Sequence, residues 1–161
     1  MWQRLMFGRN PRRTIIRIAV LTGVCFVLFK FVLLPIRVTG PSMEPTYRNG
    51  GVNFVNCWSY LSRKPQRGDV VAVRTTGVSI MFLKRIIALP GETIAIKEGT
   101  VLINGEALDE PYVINRAPWE MSPVKVEPDR HFVIGDNRGM DQELHKFGKV
   151  ETARILGKPL W

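Results

Sequence analysis

The chain has 161 residues and a formal net charge of +9, room for one cored domain with an appendage but not for two domains. Residues 1–37 hold seven of the 23 basic residues and none of the 14 acidic ones, which leaves residues 38–161 at only +2. Basicity confined to one end argues against a nucleic-acid partner and calls for another explanation.

A bilayer supplies it. Residues 14–36, "TIIRIAVLTGVCFVLFKFVLLPI", form an apolar run broken only by Arg17 and Lys30, one near each end. About 20 apolar residues span a hydrocarbon core, and long cationic side chains near the ends reach the interface. The arginines before the run predict residues 1–13 as a cytoplasmic tail, 14–36 as a transmembrane helix and 37–161 as an extracytoplasmic domain. A cleavable secretory signal would have a shorter apolar region and a small-residue cleavage site, and "LPIRVTG" offers none. A buried core helix would not be apolar on every face behind an arginine-rich lead.

Residues 39–50, "TGPSMEPTYRNG", follow at the exit. Pro41, Pro45, Asn49 and Gly50 are turn formers, and a serine among them needs no chemical role by itself. From Val52 onward the pattern is β: "GVNFVNCW", "DVVAVRT", the long run "VSIMFLKRIIAL", then two short strands around Glu98-Gly99 with a second turn at Asn104-Gly105. "RHFVIGDN" is a further strand, whereas the prolines at 111, 118, 123 and 128 mark an irregular crossing over residues 112–129. No segment after residue 40 keeps a helical period over three turns, so the domain is expected to be mainly β, a compact fold of antiparallel sheets.

Few side chains can carry chemistry. Cys25 and Cys57 belong at different depths, so no disulfide is expected, and neither cysteine nor histidine falls in a ligand spacing, so no metal or cofactor is expected. His131 starts a strand and reads as structural; His145, in "ELHKFG", reads as solvated or salt-bridging. Lys84 is more unusual, because it interrupts an otherwise apolar strand next to Arg85. Neighbours on a strand point to opposite faces, so one of the two tends inward. A desolvated lysine loses its proton more readily and can act as a base, which an arginine cannot. The alternative is an edge strand guarded by its charges. Ser42 and Lys84 gain weight together, since a serine nucleophile needs a base and a Ser-Lys pair is one form of that arrangement.

Four segments carry a resemblance. "GPSMEPT" (residues 40–46), "RGDVVAV" (67–73), "KRIIALPGE" (84–92) and "FVIGDNR" (132–138) occur in that order behind the apolar run. Together they resemble the ordered boxes of type I signal peptidases, membrane-anchored Ser/Lys endopeptidases that cleave secretory signal peptides. The resemblance implies Ser42 as nucleophile and Lys84 as general base, with the Ser42 backbone N–H in the oxyanion hole. It makes Arg85, Asp136, Asn137, Arg138, Asp141 and Glu143 framework residues, with Asp136 or Glu143 as the expected partner of Arg85. Asp141, Glu143 and His145 stand where the family usually shows serine, aspartate and arginine, so Asp141 is expected beside Lys84, raising its pKa. Gly40, two before Ser42, offers no hydroxyl to the oxyanion.

The implied partners are signal peptides of secretory preproteins, bound as an added strand with small side chains in shallow pockets, and membrane lipid. Position alone makes Met43, Tyr47, Phe82 and Leu83 the pocket neighbours. The implied location is the inner or plasma membrane, with the mitochondrial inner membrane as the alternative. Two other readings stay open: another Ser/Lys processing protease of the pilin-maturing or self-cleaving kind, and a membrane-tethered β module whose site has decayed.

Overall fold

The computed structural model describes residues 10–74 and 81–160. Most of the expected cytoplasmic tail, and the start of the long run at residues 78–80, lie outside the described residues. Helix α1 (Pro11–Val27) opens with proline at its first position, where the missing N–H costs nothing, and continues as a π-turn over Leu28–Val32. The continuous helix Pro11–Val32 is apolar enough to cross a membrane and, at 22 residues, about 33 Å long. No residue of it is buried against the domain.

The expected helix ran to residue 36; the observed one stops at Val32, and Leu33–Arg37 is already strand β1. Pro35 explains the difference, because it disfavours helix at the residue before it and cannot donate to a helical ladder. β1 lies at a sheet edge, the position in which a strand tolerates proline. The domain therefore begins four residues earlier than expected.

Ten further strands follow: β2 (Val52–Asn56), β3 (Val70–Arg74), β4 (Met81–Ala88), β5 (Thr93–Lys97), β6 (Thr100–Ile103), β7 (Glu106–Ala107), β8 (Met121–Lys125), β9 (Arg130–Ile134), β10 (Gly148–Glu151) and β11 (Ile155–Pro159). They form two sheets, seven strands in the order β1-β2-β11-β3-β4-β9-β10 and four in the order β7-β6-β5-β8, with every strand pair antiparallel. Glu98 and Gly99, at φ 48° and 76°, and Asn104 and Gly105, at 52° and 92°, make the two tight hairpin turns with both residues left-handed. Ile87, Ile94, Ile96, Val101, Phe132 and Ile134 join the small sheet to the large one in a single apolar core. A second cluster, with Val55, Val70, Ala72 and Leu83, lies beneath the loop of residues 39–50.

Two parts of the β reading need correction. The supposed irregular crossing contains β8, in which Pro123 is accommodated because the strand is an edge and its pairing with β5 slips between Ile94 and Ile96. β11 was hidden by its glycine and proline, yet it inserts between β2 and β3 and holds the chain end inside the sheet. Gly157 permits that insertion, since a Cβ there would collide with the Asn56 carbonyl. Gly157→Ala is expected to destabilise the protein by about 1–3 kcal/mol through overpacking. Thermal unfolding of the full chain in detergent measures this; an unchanged Tm would mean β11 is not tightly inserted.

Candidate active site

The loop after β1 is built around a residue only glycine tolerates. Gly40 has φ 94°, and its N–H donates to Asn49 Oδ1 at 2.9 Å. The chain then makes a 3₁₀ turn over Pro41–Met43, closed by the Glu44 N–H on the Pro41 carbonyl at 3.0 Å. Met43 is only 1% exposed and packs beneath the loop with Val55, Val70 and Leu83, so Ser42 sits on an anchored turn.

Three bonds dock this loop on the turn after β9. The Asn137 N–H donates to the Ser42 carbonyl at 3.0 Å, the Asn137 Nδ2 to the Pro41 carbonyl at 3.0 Å, and the Thr46 hydroxyl to Asp136 Oδ2 at 2.6 Å. Asp136, 1% exposed, also receives Arg85 Nε at 2.8 Å and Nη2 at 2.5 Å, a bidentate pair. Arg85 donates further to the Gly68 carbonyl and lies 3.9 Å from the Tyr112 ring centre. Of the two partners expected for Arg85, Asp136 is the one observed.

Lys84, adjacent on β4, turns to a different partner. It is 3% exposed, and its Nζ is 2.7 Å from Ser42 Oγ. Burial brings its pKa down to about 8; Asp136 opposes that fall, and Arg138 and Lys146 assist it. A hydroxyl in contact with an amine that can shed its proton near neutrality is a pair equipped for proton transfer.

Arg138, 2% exposed, is held by the Gly135 carbonyl at 2.8 Å and by Glu110, whose Oε1 accepts from Nη2 at 2.6 Å. Glu110 is itself buried and also receives the Tyr112 hydroxyl and Arg116. Sequence reasoning missed it. Only the rule that a buried arginine needs an acid pointed to such a partner, and nothing local in "LDEPY" singled out Glu110.

Asp141 and Glu143 correct the expectation more sharply. Both are exposed around the 3₁₀ turn Gln142–Leu144, because Gln142 binds the Glu120 backbone through both ends of its side-chain amide and His145 turns inward. The charges acting on Lys84 belong to Asp136, Arg138 and Lys146, and Asp141 is not among them. His145, expected in solvent, is 2% exposed; burial, with Lys84 and Arg138 nearby, lowers its pKa to about 3. His131 is buried beside the Thr152 hydroxyl, as a structural residue would be.

Of the expected pocket residues, Met43 and Leu83 belong to the core and Tyr47 packs against it. Phe82 alone of the four lines the groove that opens beside Lys84, a cavity of about 380 Å³ walled also by Val133, Val150, Arg74 and Lys146. Lys146 Nζ lies 5.2 Å from the Phe82 ring centre. Among the described residues no cluster of His, Cys, Asp or Glu could hold a metal ion.

Two antiparallel sheets behind an apolar helix, with a serine and a buried lysine in contact on a turn braced by Arg85–Asp136, define a narrow class of protein. The family model described as "Signal peptidase, peptidase S26" matches residues 12–161, and the chain belongs to that family. Together with the apolar helix, this makes it a membrane-anchored protein. It is 35% identical over 127 residues to a probable signal peptidase I-2 of Synechocystis sp., covering 75% of this chain and 58% of that one. It is 34% identical to a signal peptidase I of Leptolyngbya laminosa, over 75% of this chain and 64% of the relative. With a signal peptidase I of Bacillus amyloliquefaciens it shares 32% over 152 residues, 87% of this chain and 78% of the other. The chain thus spans under two thirds of the first two relatives. A crystal structure of a signal peptidase I from Enterococcus faecalis matches with a TM-score of 0.49 and 30% identity, over 60% of this chain and 97% of that one.

The electrostatics carry a test. Lys146 is exposed and helps hold the Lys84 pKa down, so Lys146→Gln should raise it. The rising limb of kcat/KM against pH should move a few tenths of a pH unit upward at low ionic strength, and less in salt, which screens an exposed charge. A limb that stays put or moves downward would remove Lys146 from the account.

Proposed function

We propose that the chain is a membrane-bound serine endopeptidase that removes N-terminal signal peptides from exported preproteins. The observation that carries this reading is the 2.7 Å contact between Ser42 Oγ and Lys84 Nζ, with the lysine buried. Ser42 attacks the scissile carbonyl while neutral Lys84 accepts the hydroxyl proton; the same amine then protonates the leaving amino group. A water activated by Lys84 hydrolyses the acyl-enzyme. With a lysine pKa of about 8, roughly a tenth of the molecules carry the neutral amine at pH 7, so activity rises through neutrality into mild alkali. The Ser42 N–H, at the start of its 3₁₀ turn, supplies the oxyanion contact.

The substrate is an extended segment added as a strand beside the site, with small side chains near Ser42, as the family resemblance implies. Arg85, Asp136, Asn137 and Arg138 are framework residues, whereas Asp141 and Glu143 have no part in the site. The helix sets the catalytic domain on the outer side of the inner or plasma membrane, with residues before the helix in the cytoplasm, because Arg12, Arg13 and Arg17 cluster at its start.

Ser42→Ala and Lys84→Arg should each abolish cleavage of a labelled precursor, the second because guanidinium does not give up its proton. Lys84→Met should be equally inactive but more stable at pH 7, with Tm raised by several degrees. Below pH 8 the lysine is charged in both folded and unfolded chains, so its burial costs stability that methionine recovers. Turnover by any of the three, or a lower Tm for Lys84→Met, would overturn the dyad or its desolvation. For topology, protease added to intact spheroplasts should digest residues 37–161; their full protection would reverse the orientation.

A further inference from the structure

One buried titratable group has no part in the proposed proton transfer. His145 is 2% exposed, and its Nε2 accepts the Gly135 N–H at 2.9 Å. An imidazole nitrogen that accepts from an amide is unprotonated, so the ring is neutral with its proton on Nδ1. That Nδ1 has no close hydrogen-bond partner among the described residues, and the Asn137 backbone, on the same turn as Gly135, also acts on the ring. Aromatic packing does the rest. Trp119 meets the imidazole edge-on with centroids 4.8 Å apart, and Phe147 lies at 6.0 Å and stacks on Trp119. Trp119 is itself tied by its Nε1 to the Met140 carbonyl at 2.8 Å.

Gly135 lies between this ring and the serine. A Cβ on Gly135 would strike the Ser42 carbonyl on one side and would come within 2.7 Å of His145 Nε2 on the other. The Ser42 carbonyl is in turn held by the Asn137 N–H, two residues along the same turn. We infer that His145 is a positioning residue for the Ser42–Lys84 pair, fixing the serine through the amide of Gly135. The contact runs from imidazole to amide to the backbone of residues 135–137, and from there to the Ser42 carbonyl and its hydroxyl. A neutral ring does this without adding a charge beside Lys84, which a lysine or arginine at the same place would do. The inference rests on the Ser42–Lys84 reading above.

The test uses the full chain in detergent. His145→Gln keeps an acceptor near the Nε2 position; His145→Leu keeps the volume and removes the acceptor. The leucine variant should lower kcat at least 30-fold with KM within about threefold, and should shift the Gly135 amide resonance upfield. The glutamine variant should stay within about fivefold of wild type in kcat and keep the amide shift. If His145→Leu does not fold, His145→Asn, whose amide stops short of Gly135, takes its place with the same expected losses. Equal losses in the glutamine and leucine variants, or a leucine variant with full kcat, would reduce His145 to packing and overturn the inference, as would an unmoved Gly135 resonance. A wild type without Ser42-dependent cleavage would instead bring down the protease reading, and the rate at which Ser42 takes a small acylating reagent would then replace kcat in the comparison.

Discussion

Everything at the site depends on one carboxylate. Asp136 receives the Arg85 guanidinium through two nitrogens and the Thr46 hydroxyl through the other side of Oδ2. Arg85 is the residue next to Lys84, and Thr46 lies four residues beyond Ser42, so Asp136 links the strand that carries the amine to the loop that carries the hydroxyl. A buried ion pair of this kind contributes little net stability compared with an apolar pair, but removing one partner costs about 3–5 kcal/mol because the other charge is left buried. Its value is geometric. The two planar groups meet in one orientation only, and that orientation sets the register between β4 and the serine turn.

The same logic recurs in the smaller sheet. Its outgoing loop delivers Glu110 to Arg138 and lays Tyr112 against Arg85, so both framework arginines are fixed by residues from outside the large sheet. Glu110 and Asp136 each satisfy more than one donor, as buried carboxylates must if their oxygens are not to be left unpaired. Lys84 is the contrast. It has a hydroxyl and no carboxylate in contact, and the nearest cations push against its charge. The Arg85 and Arg138 charges are paired, whereas Lys84 has no ion pair among the described residues and is the one in contact with a hydroxyl.

Much of this was legible in the sequence where the signal was local. The hairpin turns at Glu98-Gly99 and Asn104-Gly105 follow from residues that accept left-handed φ, and the strand carrying Lys84 follows from its apolar neighbours. The Ser42–Lys84 pair was suggested by a lysine in an apolar strand and a serine that would need a base, and its roles came from the resemblance to type I signal peptidases. What failed was decided by distant contacts. β8 contains a proline that read as a break and β11 drew no strand reading, and their strand character comes from an edge position and from insertion between β2 and β3. Asp141 and His145 were assigned by order along the chain, whereas the 3₁₀ turn between them reverses which residues face inward. Glu110 has no local signal at all.

His145 shows why chain order misled. Reading "ELHKFG" as surface put the histidine among solvated groups, yet its neighbours in space are Phe147, two residues on, and Trp119, from another part of the chain. Burial and the nearby Lys84 and Arg138 charges disfavour an imidazolium, so the ring is neutral, and a neutral ring can accept the backbone N–H presented to it. Gly135 presents that N–H because it has no side chain to separate the ring from the serine turn. Burial thus acts in opposite ways on two neighbouring bases. It leaves His145 too weak a base to take a proton near neutrality and makes it a fixed acceptor, while it brings the Lys84 pKa down to about 8. Which of the two can move a proton is decided by contact with Ser42, and only the lysine has it.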